Sequence, residues 1–271
     1  MRITSWNIQH GIAYQAAPAQ DFSLADNLAA LHRDIESDIY LFQEVDCRLP
    51  RTDYRNQPAE LAAAVGAIDF RFAPTVIGEP GLKSVMPEQE ERVLISETCS
   101  TFNGYGNLFI SRIPVREWLR FDLGKSPIGA PLLIGMGAGQ RLIVAPDELR
   151  TATAAVLENK IIVINTHLSF VPGYNIKQLR QLIQWAKALE AEYASEVIIA
   201  GDFNLPDFAL TPFRQWRTIN TGPTFPQWNP KITFDHFMVR ACLTNTWRAR
   251  SEAAQMYGDH LPITVERIDR P

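Results

Sequence analysis

The stretch EVIIAGDFNLP, residues 196–206, sets an apolar strand directly against a polar turn. Val197 to Ala200 read as a buried strand, Gly201 frees the backbone, and a carboxylate (Asp202) and an amide (Asn204) follow. Upstream, Ile176, Leu179, Ile183, Ala186 and Leu189 recur at helical spacing, so a long amphipathic helix leads into this strand. The same alternation of helix and short apolar strand runs through the chain. Ile3–Ile8, Ile39–Val45, Leu108–Ser111, Leu142–Ala145, Ile161–Leu168, Thr233–Val239 and Leu261–Val265 read as further strands. Leu24, Leu28, Leu31 and Ile35 mark one helix, and Pro58–Val65, stopped by Gly66, a shorter one. Ile77–Glu91 and Gly124–Gly139 read as loops. Neither resembles a domain linker, and no repeat appears, so residues 1–271 are expected to form one α/β domain with two packed sheets.

The 271 residues carry 26 Lys plus Arg against 30 Asp plus Glu, a net charge of −4. That balance gives no whole-protein attraction to nucleic acid or to an anionic membrane. Cys47, Cys99 and Cys242 are few, odd in number and far apart, which suits a reducing compartment and no zinc-type spacing. There is no signal-like opening and no apolar run near the ~20 residues of a membrane span, so a cytoplasmic monomer is expected.

Polar residues collect where the strands end. Asn7 closes the first, and Gln43 and Glu44 follow the second. His167 lies late in VINTHLS, Asp202 and Asn204 follow the strand at Val197, Asp235 and His236 sit in TFDHF, and Asp259 and His260 precede the last strand. Taken singly, each is more often a turn former, a cap, a solvated charge or a core histidine. Taken together they supply the oxygen donors and the acid–base groups of a hydrolase that uses a hard cation. Phosphate-ester hydrolysis needs up to ~20 kcal/mol or more of barrier lowering. One acid or base contributes about 10²–10⁴-fold, so several groups have to act together. His10 and His236 neighbour these positions. Strand alternation turns His236 away from Asp235, and both are read as structural.

The ordered set SWNIQHG, LFQEVD, YGNLFISRIPV, VINTHLS, IIAGDFNLP, TFDHFMV and GDHLPITV resembles the endonuclease/exonuclease/phosphatase superfamily, from residue 2 to about 265. That group contains pancreatic deoxyribonuclease, repair nucleases, neutral sphingomyelinases and inositol polyphosphate 5-phosphatases, and the chain looks most like its bacterial metal-dependent hydrolases. The resemblance implies a four-layer α-β-β-α sandwich, with two mainly antiparallel sheets flanked by helices and the site at one end. It implies Mg²⁺ or Mn²⁺ at Glu44, with Asn7 beside it and Asp259 supporting. It makes Asp202 the carboxylate that orients and deprotonates water, with Asn204 holding the water and phosphoryl oxygens. His260, oriented by Asp235, would stabilise phosphate charge, and His167 would contact phosphate or assist the leaving group. Asn107 and Arg150 are weaker candidates for positioning phosphate or neighbouring side chains.

Three positions depart from the pattern. Gln9 stands where repair nucleases carry an Asp, which removes the ground for expecting a second metal. His167 replaces their Tyr, and Gly258 a commoner Ser. The expected activity is hydrolysis of a phosphodiester or phosphomonoester. Alternatives are a DNA or RNA nuclease, which the net charge does not favour, a sphingomyelinase-like enzyme using GAPLLIGMGAG (129–139) against a membrane, and a catalytically silent binding protein of the same fold.

Overall fold

Strands β1 (Arg2–Asn7) and β2 (Ile39–Cys47) run parallel, joined by the crossover helix α1 (Leu24–Ile35). Parallel neighbours need such a crossover. Ser23 and Asp26 form a reciprocal capping box that starts α1. Its buried Leu24, Leu28, Leu31 and Ile35 pack on Trp6, Tyr40 and Phe42. The short helix α2 (Gln57–Ala64) adds Leu61 and Ala62 to the same layer. The computed structural model describes residues 1–14, 23–81, 85–96, 102–134 and 141–268.

The chain continues through β3 (Asp69–Ile77), β4 (Gly104–Ser111), β5 (Val115–Gly124), β6 (Ala130–Ile134), β7 (Arg141–Ala145), β8 (Arg150–Leu157) and β9 (Ile161–His167). Then come α3 (Tyr174–Tyr193), β10 (Glu196–Asp202), α4 (Asp207–Leu210), β11 (Trp216–Ile219), β12 (Asp235–Arg240), β13 (Trp247–Ser251) and β14 (Ile263–Arg267). One sheet has the order β13-β14-β1-β2-β4-β3 and the other β11-β12-β10-β9-β8-β5. Each contains one parallel pair, β1/β2 in the first and β9/β10 in the second, with antiparallel partners on both sides. Helix α3 links the second parallel pair as α1 links the first, and buries Leu179, Leu182, Ile183, Ala186 and Leu189 on the outer face of its sheet. The inner faces meet through Ile3, Ile39, Leu41, Phe109, Val163, Ile198, Ala200 and Phe237. The helix–sheet–sheet–helix order matches the expected sandwich.

Several strands were not legible beforehand. β8 reads RTATAAVL, whose small side chains carry no hydrophobic period, although every one of its residues is buried. β3, β5, β11 and β13 were also missed, and Gly124–Gly139 is not all loop, because β6 begins at Ala130 and pairs with β7 in a separate ribbon. Residues 135–140 of the glycine-rich segment lie outside the described residues. No helix among the described residues is long and apolar enough to cross a membrane.

Period-two alternation carries the site. Moving along the inner face towards one end, apolar residues give way to polar ones: Leu41 to Gln43, Val163 to Asn165 and His167, Ala200 to Asp202, Phe237 to Asp235. Asn165, fully buried on β9, reaches across to the other sheet. Its Nδ2 donates to the carbonyls of Phe42 (3.1 Å) and Leu108 (3.0 Å), and its Oδ1 accepts from Gln43 Nε2 (2.7 Å). Removing this amide takes a donor from two buried carbonyls, at about 1–3 kcal/mol each, and leaves Gln43 Nε2 only its longer bonds to Ser5 Oγ (3.2 Å) and the Leu41 carbonyl (3.4 Å). Asn165→Leu is therefore expected to lower unfolding free energy by about 3 kcal/mol or more in urea denaturation. A change below 1 kcal/mol would show that water or a shifted strand satisfies these groups.

Candidate active site

Glu44 owes its position to an irregularity in β2. Between the pairs Phe42–Leu108 and Val45–Gly106, two residues of β2 face one of β4, a β-bulge. Glu44 takes φ = 60°, in the left-handed region. Plain alternation would send Glu44 to the face opposite Gln43; the bulge instead turns it towards the end of β1, where Asn7 Nδ2 donates to its Oε1 at 3.0 Å. The same nitrogen donates to Asp202 Oδ2 at 3.0 Å, so one amide joins the two sheets' functional ends. Asn7 Oδ1 accepts from the Gln9 N–H (3.1 Å).

Across the second sheet, His167, Asp202 and Asp235 lie in register, directly opposite one another on β9, β10 and β12. Gly201 makes this close pairing possible: at φ = 137° a Cβ there would sit 1.8 Å from the Thr166 carbonyl oxygen. Asp202 Oδ1 accepts from the Asn204 N–H (2.8 Å), and Asn204 itself bends left-handed at φ = 49°. Asn204 Nδ2 donates to the Leu168 carbonyl (3.0 Å) and lies 3.1 Å from His167 Nε2. Burial, Arg150 and His260 hold the His167 ring well below the usual histidine range. It is therefore neutral, accepting at Nε2 with its proton on Nδ1.

His260 completes the cluster. Its Nδ1 meets Asp235 Oδ2 at 2.7 Å, while Nε2 lies 3.8 Å from Asp202 Oδ2 and 3.9 Å from Asp259 Oδ1. Burial opposes its charge, but Asp235, Asp202 and Asp259 together outweigh that and push the ring up to about 10. Burial raises Asp202 to about 6 against the pull of His260, and raises Asp259 to about 6 with Glu44 adding to it. The Glu44 carboxyl is likewise raised by burial. The segment bearing Asp259 and His260 is clamped from outside. Gln227 N donates to the Asp259 carbonyl (2.7 Å), its side-chain amide donates to the Gly258 carbonyl, and Trp6 Nε1 donates to the His260 carbonyl (3.1 Å). The Phe225 ring lies 4.9 Å from that of His260.

Two groups of donors could hold a metal. Ligand atoms of Asp202, Asp235 and His260 lie within 4.8 Å of one another. That group contains an imidazole already hydrogen bonded to Asp235 and held in its charged form, which has no lone pair to give. Glu44, Asp259 and the Asn7 carbonyl offer oxygen only, with the Asp259 carboxyl raised by burial and then by Glu44, and they suit a hard cation better.

All eight expected side chains from Asn7 to His260 are thus brought together. Arg150 is buried beside them, 3.4 Å from Asp147 and 5.8 Å above the Phe170 ring. Asn107 is buried too, its Nδ2 donating to the Thr151 carbonyl (3.4 Å), a tie between the sheets. His236 points the other way, its Nε2 2.7 Å from the Leu205 carbonyl. The sequence reading missed Tyr105, whose hydroxyl burial and then Glu44 push well above the usual phenol range, Glu148, whose charge acts on Glu44 and Arg150, and the Gln227 clamp. Glu148 and Gln227 sit on loops whose paths carry no local signal, while Tyr105 lies on β4 at the start of a motif whose Tyr has no role until its neighbours are placed.

The sequence description "Endonuclease/Exonuclease/phosphatase family" matches residues 4–260. The chain belongs to this family. No curated protein matches the sequence. Solved structures share the family fold at low identity. An endonuclease/exonuclease/phosphatase from Beutenbergia cavernae DSM 12333 is 18% identical, over 97% of this chain and 70% of that one, with a TM-score of 0.60. A mannosyl-6-phosphatase from Bacteroides thetaiotaomicron VPI-5482 is 12% identical, over 99% and 100%, with a TM-score of 0.61. Truncated TDP2 of Caenorhabditis elegans is 13% identical, over 97% and 96%, with a TM-score of 0.53.

For this family member the charges impose a pH signature on stability. His260 is raised from 6.5 to about 10, so the stability it contributes is complete below 6.5 and disappears as pH climbs through 10. Asp202 and Asp259, raised from 3.8 to about 6, bind protons more tightly folded than unfolded, so their share falls as pH rises from 3.8 to 6. In the metal-free protein, Asp235→Asn should move the His260 imidazole titration seen by NMR from near 10 towards 6.5, and flatten the loss of stability between those values. An unmoved titration would mean that Asp235 does not hold the charge.

Proposed function

We propose that the chain is a Mg²⁺- or Mn²⁺-dependent phosphoesterase that hydrolyses a phosphodiester, or a phosphomonoester, by in-line attack of water. The observation that carries this is the continuous link from Glu44 through Asn7 to Asp202, beside the Asp235–His260 pair. Glu44, Asn7 and Asp259 would hold the cation, which when bound supplies a Lewis acid for a phosphoryl oxygen and neutralises charge there.

Asp202 is the proposed base. Asn7 and Asn204 fix its two oxygens, and a carboxyl raised to about 6 is basic enough to take a proton from water near neutral pH. His260 keeps its proton on both nitrogens. Its Nδ1 is tied to Asp235, and its Nε2–H is aimed into the site, where it can donate to a phosphoryl oxygen as charge accumulates. His167 is neutral and orients the Asn204 amide beside the attacking water. Arg150 adds a fixed positive charge behind the site. The family's hydrolases of phosphoester bonds support this reading, and the low net charge favours a small ester over a nucleic-acid polymer.

Turnover of bis-p-nitrophenyl phosphate should require Mg²⁺ or Mn²⁺ and stop in EDTA. His260→Ala should lower kcat by about 10²–10⁴-fold. Glu44→Gln should raise the half-saturating metal concentration at least about tenfold, and in the parent that concentration should fall as pH rises through about 6 and Asp259 ionises. Metal-independent turnover, or a fully active His260→Ala, would sink the proposal.

A further inference from the structure

Two aromatic side chains from separate loops meet at the metal-side rim of the cleft. Residues Ile12 to Tyr14 pair with Met256 to Gly258: the Ala13–Tyr257 bridge is flanked by Tyr14 N to the Met256 carbonyl (3.0 Å) and Gly258 N to the Ile12 carbonyl (2.9 Å). This pairing holds Tyr14 next to the strand-end residue Asp259. Its hydroxyl donates to Gln9 Oε1, and Gln9 N donates to Asn7 Oδ1 (3.1 Å), so the ring is two contacts from the amide that binds Glu44 and Asp202. Burial first, then Asp259, push the Tyr14 hydroxyl up to about 12, which keeps it neutral.

Trp228 arrives from the other side, one residue after the Gln227 that clamps Gly258 and Asp259. Its ring centroid lies 5.0 Å from that of Tyr14, at 38° between planes, and the residue is 56% exposed. A tryptophan this exposed contributes little to the core, yet its ring meets Tyr14 and its backbone follows directly on the clamped Gln227. The result is an exposed indole held against Tyr14 at the edge of the candidate site.

We propose that Tyr14 and Trp228 form a stacking subsite for a nucleobase carried by the phosphate ester. This rests on the phosphoesterase reading above and names its substrate class. A nucleobase presents an apolar π-face to Trp228 and hydrogen-bonding groups at its edge. Asn229 and Lys231, exposed one and three residues after Trp228, supply an amide and an ammonium to the same turn, groups that the edge of a base can use and an acyl chain cannot. Without a basic run for a polymer backbone, the fit is to a nucleotide-sized ester.

The test is equilibrium binding, by calorimetry, of adenosine 5′-monophosphate and of ribose 5-phosphate, which differ in the base. Trp228→Ala should weaken the nucleotide about 5-fold or more and ribose 5-phosphate less than twofold, while Trp228→Phe retains most of the nucleotide affinity. Thermal midpoints within about 2 °C of the parent exclude a folding defect as the cause. With thymidine 5′-(p-nitrophenyl phosphate), Trp228→Ala should raise KM by a similar factor. Equal losses for both ligands, no loss, or no nucleotide binding at all overturn the subsite, as does a Trp228→Ala defect confined to sphingomyelin vesicles. If the parent binds the nucleotide through Trp228 but turns over no ester with Mg²⁺ or Mn²⁺, the phosphoesterase reading fails and the subsite stands.

Discussion

The depth at which the two sheets meet is fixed near the site by one side chain, the amide of Asn165. Between the sheets lie mostly aliphatic contacts, which are strong in sum but indifferent to small sliding motions. Hydrogen bonds are not indifferent. By donating to Phe42 and Leu108 and accepting from Gln43, Asn165 sets β9 against β2 and β4 at one register. Phe42 is the last regular residue before the bulge that turns Glu44, so the same three bonds fix where the Glu44 carboxylate emerges relative to Asp202. The Asn7 bridge between Glu44 and Asp202 then joins ends that are already aligned.

Polar groups in that layer are costly to bury, and the structure meets the cost by pairing most of them. Asp235 is an instructive exception: Oδ2 is bound to His260, while Oδ1 is buried with no hydrogen-bond partner among the described residues. A carboxylate kept half-unsatisfied next to an imidazole is a strong local field, and it leaves His260 charged in surroundings that would otherwise strip its proton. His167, with Arg150 nearby and no carboxylate as close as Asp235 is to His260, goes the opposite way and stays neutral. Two histidines in one cleft thus hold opposite charge states because of their neighbours.

Much of this was legible in the sequence because strand alternation is a strict rule. Once VINTHLS, IIAGDFN and TFDHF are read as strands, His167, Asp202 and Asp235 have to share a face, and His236 has to turn from it. Glu44 was legible as a residue but not as a geometry, since nothing local announces a bulge. Asn107 was expected to position phosphate or neighbouring side chains, and the tie its amide makes from β4 to Thr151 across the sheet gap could not be read from its own segment. Asn165 lay in a quoted motif without a role, because its partners are carbonyls of strands more than fifty residues away. β8 was invisible for a different reason: alanine and threonine fill a tightly packed inner strand without marking it as apolar.

The two parallel pairs, each with its own crossover helix, give the molecule the same β-α-β device twice. Asn7 and Glu44 come from one copy, His167 and Asp202 from the other; Asn7, His167 and Asp202 stand at the carboxyl ends of their strands and Glu44 at a bulge three residues before the end of β2. The loops that surround this end, including the ribbon of β6 and β7 and the turn bearing Trp228, carry none of those four groups. Asp259 and His260 come from a third segment held by Gln227 of the Trp228 turn, so these loops can drift in length and composition except at that clamp. A lineage built on this frame can change which ester it accepts by rewriting the rim alone, leaving the bond-breaking apparatus as inherited.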